Sequence, residues 1–191
     1  MQEMMGLPPS PGQGGRVTEQ QKSDAVKVAK SVAAQVRSSD PDLASKAQTS
    51  HENPRFLNSF YKASRLHFIG TWKTRYQQII DTLPPAPPLP PAKERLILHV
   101  DMDCFFCSVS CLGRKELEGM PVAVTWGDST NKVSNAEISS ANYKARESGL
   151  KAGMWMEQAR ALCPDLITLP YEFDKYSEAA ERMYRELFAI T

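Results

Sequence analysis

Two aspartates separated by one residue follow an apolar run in the stretch LILHVDMDCFF, residues 96–106. A carboxylate at the end of an apolar strand is costly to desolvate unless a partner neutralises it. Mg²⁺ is such a partner, because it takes oxygen ligands and shares them with substrate phosphates. Asp101 and the backbone carbonyl of Met102 therefore suit a magnesium site. For Asp103 an N-cap of the following helix is an equally good interpretation.

A second group of chemically suited residues lies about forty residues downstream, in SSANYKARESGLKAGM. Tyr143, Lys144 and Arg146 fall on one helical turn, and a tyrosine hydroxyl and an arginine fork both suit phosphate oxygens. The alternative is an exposed helix that ends at Gly149 with Arg146 in solvent. Phosphate-binding groups downstream of a metal-binding acid favour phosphoryl transfer.

The charge distribution is compatible with a nucleic-acid partner but does not require one. Net charge is only +1, but residues 51–93 carry six basic and two acidic groups. Residues 94–191 carry eleven basic and fifteen acidic groups. A basic arm next to an acidic metal site fits a polyanion, and a solvated basic helix is the alternative.

The four cysteines do not form a zinc site by spacing, since no histidine or further cysteine completes a finger pattern. The N-terminal sequence lacks an apolar signal region, and no apolar run reaches membrane-spanning length. We expect reduced thiols in a soluble intracellular protein with no membrane partner.

The first half of the chain divides by composition into three segments. Residues 1–50 predict a disordered tail with a transient helix near Ser23–Arg37. Residues 51–83 predict two helices with a kinked junction at Ser64–Gly70, the first capped by Asn53. Residues 84–93 are proline-rich, which indicates an extended linker or, alternatively, a ligand for proline-reading domains.

From Glu94 onward, predicted strands and helices alternate. The class is therefore α/β (α+β). Strands are expected at 96–100, 121–126 and 166–171, and a polar loop at 127–135. Helices are expected at 105–112, 136–147 and 156–162, and a long amphipathic helix from Phe173 to Leu187.

The motifs VDMDCFFCSV, GMPVAVTW, SSANYKARESGLKAGM and CPDLITLPYEFDKYSEAAERMYREL resemble, in order and spacing, the palm and fingers of Y-family translesion DNA polymerases. The upstream FLNSFYKASRLHFIGTWK resembles the element that precedes the palm in the Rev-type branch, the DNA repair deoxycytidyl transferases. The resemblance covers roughly residues 53–191. It implies a partial palm with part of the fingers over 94–191, and a nuclear enzyme.

By position, the resemblance implies that Asp101 and the carbonyl of Met102 are magnesium ligands. Phe105 would pack beside the incoming nucleotide, and Phe106 would be the steric gate against a ribose 2′-hydroxyl. The triphosphate would be held by three further residues: Ser140, Tyr143 and Arg146.

The resemblance also implies that the protein itself selects the nucleotide. Arg65 would hydrogen-bond the incoming dCTP in place of the template base, and Leu66 would hold the template guanine out of the helix. The implied partners are primed damaged DNA, dCTP and other translesion polymerase subunits. Contacts to the DNA backbone are expected from Lys62, Lys73 and Arg75, for which plain surface charge is an equal alternative.

The sequence departs from the family in one respect that matters for chemistry. Two-metal catalysis needs a second pair of acids, which the family takes from a Ser-x-Asp-Glu element. No Asp-Glu pair follows Asp174 here. We expect a truncated form that is inactive alone, and a non-catalytic nucleic-acid- or protein-binding isoform or remnant is the alternative.

Overall fold

The computed structural model of the chain describes residues 17–39, 54, 56–85, 88, 96–126 and 136–190. Helices and strands alternate from residue 105 onward, which confirms the predicted α/β (α+β) class. The helices are α1 (Glu19–Ser39), α2 (Phe56–Ala63), α3 (Arg65–Thr82), α4 (Phe105–Cys111), α5 (Tyr143–Glu147), α6 (Met156–Leu162) and α7 (Phe173–Ile190). The strands are β1 (Val122–Thr125), β2 (Ile138–Ala141) and β3 (Ile167–Leu169), and a 3-10 turn spans Lys115–Leu117.

A mixed three-stranded sheet with the strand order β2-β1-β3 lies at the centre of the described residues. β1 runs antiparallel to β2 and parallel to β3, so that Ala123 lies opposite both Ala141 and Thr168. Every residue of the three strands is buried. Strands covered on both faces do not need a polar face, which is why these segments consist of apolar and small side chains.

Helices cover both faces of this sheet. Val122 and Val124 lie in a cluster with buried residues of α1, α4 and α7. Ala123, which alternates with them, lies in a second cluster with residues of α5 and α6. Because successive side chains of a strand point to opposite faces, the two clusters are the two sides of one sandwich.

Helix α1 is part of the packed core. Ala25, Ala29 and Val32 are 0%, 4% and 4% exposed and share one helical face that packs on β3 and the 3-10 turn. Lys22 adds an ion pair to Asp165, with 2.8 Å between Nζ and Oδ2. A helix is expected near Ser23–Arg37, and α1 contains that segment. The prediction of disorder is wrong for residues 19–39, because a face of small side chains is enough to bury a helix against a sheet. Residues 1–16 and 40–50 lie outside the described residues.

The apolar run before Asp101 does not form the predicted strand. Leu96, Ile97, Leu98 and Val100 are 82%, 83%, 71% and 59% exposed, and the run has no regular secondary structure. A strand needs a neighbour to satisfy its backbone hydrogen bonds. Among the described residues, no strand pairs with this segment.

The prediction of one helix over residues 136–147 is also wrong. The segment forms β2 and then α5, and Asn142 separates the two as the N-cap of α5. The Asn142 Oδ1 accepts hydrogen bonds from the backbone N–H groups of Ala145, at 2.9 Å, and Val122, at 3.0 Å. Pairing with β1 therefore overrides the local helical pattern of the sequence.

Helices α2 and α3 meet at a single residue, Ser64, and not at a junction extending to Gly70. The Ser64 Oγ accepts a hydrogen bond from the backbone N–H of His67 at 3.4 Å, as an N-cap does. Gly70 lies inside α3. Asn53, the predicted cap of the first helix, is outside the described residues, as is the 127–135 loop. Within the proline-rich linker, the three described residues, Pro84, Pro85 and Pro88, are exposed without regular structure.

Aromatic side chains attach α3 to the rest of the fold. The ring of Phe68 lies 4.4 Å from that of Phe173, and Tyr76 stacks on Tyr184 at 3.9 Å. Trp72 contacts Phe105 with ring centroids 5.8 Å apart. These contacts fix α3 against α4 and α7 and bring its first residue, Arg65, to the sheet. No helix in the described ranges has the length and apolar character to cross a bilayer.

Candidate active site

The turn that carries Asp101 and Asp103 leads directly into α4. Asp101 and Asp103 are exposed and Met102 is half-buried. Cys104 has a left-handed backbone, with φ 39° and ψ 45°, which costs a residue with a Cβ about 1–2 kcal/mol. The hydroxyl of Ser108 donates to the backbone carbonyl of Asp103 at 2.9 Å and holds the turn. The N-cap of α4 is Cys104, without a side-chain cap, so the capping interpretation of Asp103 is wrong.

Two phenylalanines open α4 and form an aromatic wall behind this turn. Phe106 is 9% exposed, with its ring 4.5 Å from that of Tyr176 and edge-on to Tyr171 at 6.0 Å. Phe105 is half-buried between Trp72 and Phe106. A ring with neighbours on several sides has a fixed orientation, as a steric gate requires.

Two polar contacts behind the wall hold α4 in place. The hydroxyls of Ser110 and Tyr176 are 2.8 Å apart, and both residues are 0% exposed. Arg114 makes a bidentate pair with Glu172, with both N–O distances 2.7 Å. Burial alone raises the pKa of Glu172, but hydrogen bonds from Arg114 and Lys175 lower it below its ordinary value. The end of α4 and the residues just after it are therefore held by contacts distant in sequence.

The second predicted group lies where β2 runs into α5. Ser140 is buried, and its carbonyl accepts a hydrogen bond from the Cys107 thiol at 3.2 Å. Tyr143 is 49% exposed. Arg146 donates from Nε to the carbonyl of Ala141 at 2.9 Å, and its guanidinium carbon lies 5.4 Å from the centre of the Tyr143 ring. The Arg146 guanidinium is therefore held at Nε. Because Arg146 is exposed, its remaining N–H donors face solvent.

Asp103 joins the two predicted groups. A hydrogen bond to the Asp103 carboxylate raises the pKa of the Tyr143 hydroxyl. The turn that carries Asp101 and Asp103, called here the acidic turn, therefore lies next to the start of α5, although forty residues separate them in sequence. Asp103 acts here on a tyrosine, a role that its position before α4 did not predict.

Arg65 reaches the same region from the other side. It is the first residue of α3, and its side chain is 27% exposed. Nη1 donates to the Ser139 Oγ at 3.2 Å, and Nη2 lies 3.5 Å from the Glu137 Oε1. The structure therefore places Arg65 beside β2, the strand that also contains Ser140.

The other residues assigned to DNA lie along α3. Leu66 is 75% exposed, next to Arg65 at the start of the helix. Lys73 is exposed, while Arg75 forms an ion pair with Glu181 of α7. The side chain of Lys62 is outside the described residues.

The described residues do not bring together a cluster of metal-ligating side chains. No group of three or more histidine, cysteine, aspartate or glutamate side chains comes together within them. Asp101 is an exposed carboxylate of the type that Mg²⁺ takes, but one carboxylate does not hold two ions. Within the described residues, the fit to Mg²⁺ rests on the Asp101 carboxylate and the backbone carbonyl of Met102.

Sequence reasoning missed four residues of this region, namely Glu137, Ser139, Arg114 and Glu172. Each makes its contact with a residue 58 to 74 positions away. No local pattern marks such a residue, because its role depends on which elements the fold brings together. The one available signal was an acidic residue directly before a strand, at Glu137.

Comparison with known proteins identifies the part of the chain that carries this site. Residues 100–191 match the family model described as "IMS: impB/mucB/samB family". They belong to this family. The match covers the acidic turn, the aromatic wall and α5, and it confirms the recognition of a Y-family polymerase from the sequence motifs.

Curated relatives extend the similarity upstream of the family match. The chain is 44% identical over 143 residues to the DNA repair protein REV1 of Arabidopsis thaliana, covering 70% of this chain and 13% of that protein. It is 40% identical over 140 residues to the rev1 protein of Schizosaccharomyces pombe, covering 70% of this chain and 14% of the relative. The chain thus spans less than a fifth of either relative's length.

Solved structures of Y-family polymerases also align with the chain. DinB from Sulfolobus solfataricus aligns with a TM-score of 0.42 and 29% identity, over 47% of this chain and 25% of that one. An insertion ternary complex of Dbh DNA polymerase gives a TM-score of 0.42 at 29% identity, over 47% of this chain and 26% of that one.

Proposed function

We propose that this chain carries the nucleotide-binding side of a DNA repair polymerase site that inserts dCMP opposite template guanine or an abasic site. The observation that carries the proposal is the position of Arg65, whose guanidinium lies beside the β2 strand that leads into Tyr143 and Arg146. A fixed fork of N–H donors matches the acceptor edge of cytosine and rejects bases that present donors there.

In this proposal each group of residues binds a different part of the nucleotide. Asp101 and the carbonyl of Met102 hold Mg²⁺, which neutralises phosphate charge when bound. Ser140, Tyr143 and Arg146 hold the triphosphate, Phe105 packs beside the nucleotide, and Phe106 excludes a ribose. Asp103 orients Tyr143 by the hydrogen bond that they share. Phe106 suits its role because its ring is buried against Tyr176 and Tyr171.

DNA is proposed to lie along α3. Leu66, 75% exposed beside Arg65, holds the template guanine aside. Lys62 and Lys73 contact the backbone phosphates, and Arg75 does so by releasing Glu181. The proposed partners are damaged primed DNA and other translesion polymerase subunits, and acting on such DNA implies a nuclear location.

Because the sequence supplies no Asp-Glu pair after Asp174, we propose that the 191 residues alone do not extend a primer. The chain is incubated with primed template, Mg²⁺ and dCTP, and Asp101→Ala serves as the control. Extension above that control would contradict this part of the proposal.

Nucleotide selection is tested in the longest polypeptide that the gene encodes. A bidentate pair with a base edge is worth about 1–3 kcal/mol, so Arg65→Ala is expected to lower the preference for dCTP over the other nucleotides by at least about fivefold. Arg185→Ala, an exposed arginine on α7, is the matched control. An unchanged preference in Arg65→Ala would show that the assigned role is wrong.

The second candidate is a non-catalytic binding module. It is supported by exposed apolar side chains on α2 and α3, among them Leu57, Phe60 and Ile69 at 53%, 54% and 47% exposure. The basic charge of residues 51–93 adds to this support. This candidate predicts salt-dependent DNA binding by the 191-residue chain in a gel-shift assay. It also predicts that the longest polypeptide shows no preference for dCTP over the other nucleotides.

A further inference from the structure

The contact between Arg65 and the β2 strand joins two elements that are each fixed elsewhere. Arg65 belongs to α3, which the Phe68–Phe173 contact holds on α7. Glu137 lies directly before β2, where it forms an isolated antiparallel bridge with Trp155. Its backbone carbonyl also accepts a hydrogen bond from the Thr125 hydroxyl at 2.9 Å. The guanidinium is therefore held by partners whose own positions are set.

The contact restrains the guanidinium through both of its terminal nitrogens. Nη1 donates to the Ser139 Oγ at 3.2 Å, and Nη2 lies 3.5 Å from Glu137 Oε1. An arginine fork is planar, so fixing both terminal nitrogens fixes the plane in which the remaining N–H donors point. The direction of those donors decides which base edge they match.

A tyrosine connects this contact to the aromatic wall. Burial raises the pKa of Tyr171, while hydrogen bonding with Ser139 and the charge of Arg65 act against that rise. The Tyr171 ring is edge-on to Phe106 at 6.0 Å. Ser139 therefore lies between the arginine proposed to read the base and the phenylalanine proposed to gate the sugar.

Stability alone does not explain the pair. The Glu137 side chain is 45% exposed and the N–O distance is 3.5 Å, and exposed ion pairs of this kind contribute little to folding. Such a contact still reduces the number of orientations open to a long side chain, which a binding site exploits when the restrained orientation is the productive one.

We infer that Glu137 and Ser139 are positioning residues that orient the Arg65 guanidinium before the nucleotide binds. This inference rests on the proposed role of Arg65 in reading dCTP. It assigns a specificity function to two residues of β2 and its entry that touch neither the metal nor the triphosphate.

The first test measures the arginine itself in the 191-residue chain. The ¹⁵Nε–¹H heteronuclear NOE of Arg65 reports whether the guanidinium is restrained. We expect a value close to that of the α3 backbone in the wild type, and a clear drop in Glu137→Ala and in Ser139→Ala. The control is Glu157→Ala, an exposed glutamate on α6. A freely moving Arg65 in the wild type, or no change in both variants, would overturn the inference.

The second test measures nucleotide selection in the longest polypeptide that the gene encodes. Glu137→Ala is expected to lower kcat/KM for dCTP about tenfold, with less than twofold change for the other nucleotides and an unchanged melting temperature. In the Arg65→Ala background the same change should have no further effect.

The two possible failures are separable. If Arg65→Ala abolishes the dCTP preference while Glu137→Ala and Ser139→Ala leave it intact, the positioning role is wrong and the proposed function stands. If Arg65→Ala leaves the preference intact, the reading role of Arg65 is wrong, and the positioning role in selection falls with it.

Discussion

The buried hydroxyl pair of Ser110 and Tyr176 offers a sharp test of how the aromatic wall is held. The two oxygens are 2.8 Å apart and both residues are 0% exposed. Tyr176→Phe keeps the ring that packs on Phe106 and removes only the hydroxyl. Removing one hydroxyl leaves the Ser110 hydroxyl buried without a partner, which costs about 1–3 kcal/mol.

We therefore expect Tyr176→Phe to lower the free energy of unfolding of the 191-residue chain by about 2 kcal/mol, or roughly 4–8 °C in melting temperature. The measurement is urea unfolding followed by far-UV circular dichroism. The double variant Ser110→Ala/Tyr176→Phe should cost less than the sum of the single variants, because neither side then keeps an unpaired hydroxyl.

Tyr61→Phe is the control, since its ring is 47% exposed and surface changes usually stay within about 0.5 kcal/mol. The reasoning fails if Tyr176→Phe unfolds at the wild-type urea concentration. It also fails if the two single costs add without coupling, since the hydroxyls would then be satisfied independently.

Three further outcomes follow from the packing. Hydrogen bonds lower the folded-state pKa of Glu172 below its ordinary value of 4.5, so its stabilising contribution is present above pH 4.5 and is lost as pH falls through the folded pKa. In Glu172→Gln, urea midpoints across this range should vary less with pH and be lower at pH 7. Amides of α1 should be protected in hydrogen exchange, and Val32→Asp should abolish that protection by placing a charge at a site 4% exposed. The thiol of Cys107, 0% exposed and with its pKa raised to about 12 by burial, should resist alkylation at pH 8 in the folded chain and react in urea.

Much of the fold between residues 105 and 190 was predictable because its elements carry local patterns. Helix α6 begins and ends where predicted, at Met156 and Leu162, and the long amphipathic helix begins at Phe173. Strand β1 lies inside the predicted 121–126 segment. In each case one face or one run of apolar side chains marks the element, and the fold buries side chains of that face, such as Met156, Val122 and Tyr176.

The wrong predictions share a physical cause, which is that the deciding partner is distant in sequence. Leu96–Val100 has the composition of a strand but no paired neighbour among the described residues. The face of α1 formed by Ala25, Ala29 and Val32 gave too weak an apolar signal to predict packing, yet β3 and the 3-10 turn bury it. Pairing with β1 converts residues 138–141 into a strand.

The candidate site shows the same division. The sequence by itself determined the family and the residue types, because DMDCFF and NYKAR carry their chemistry within a few positions. Only the tertiary structure decided that Asp103 contacts Tyr143 and that Arg65 rests on Ser139 and Glu137. Local spacing specifies what a side chain can do, whereas its partner depends on where the sheet and the helices bring other parts of the chain.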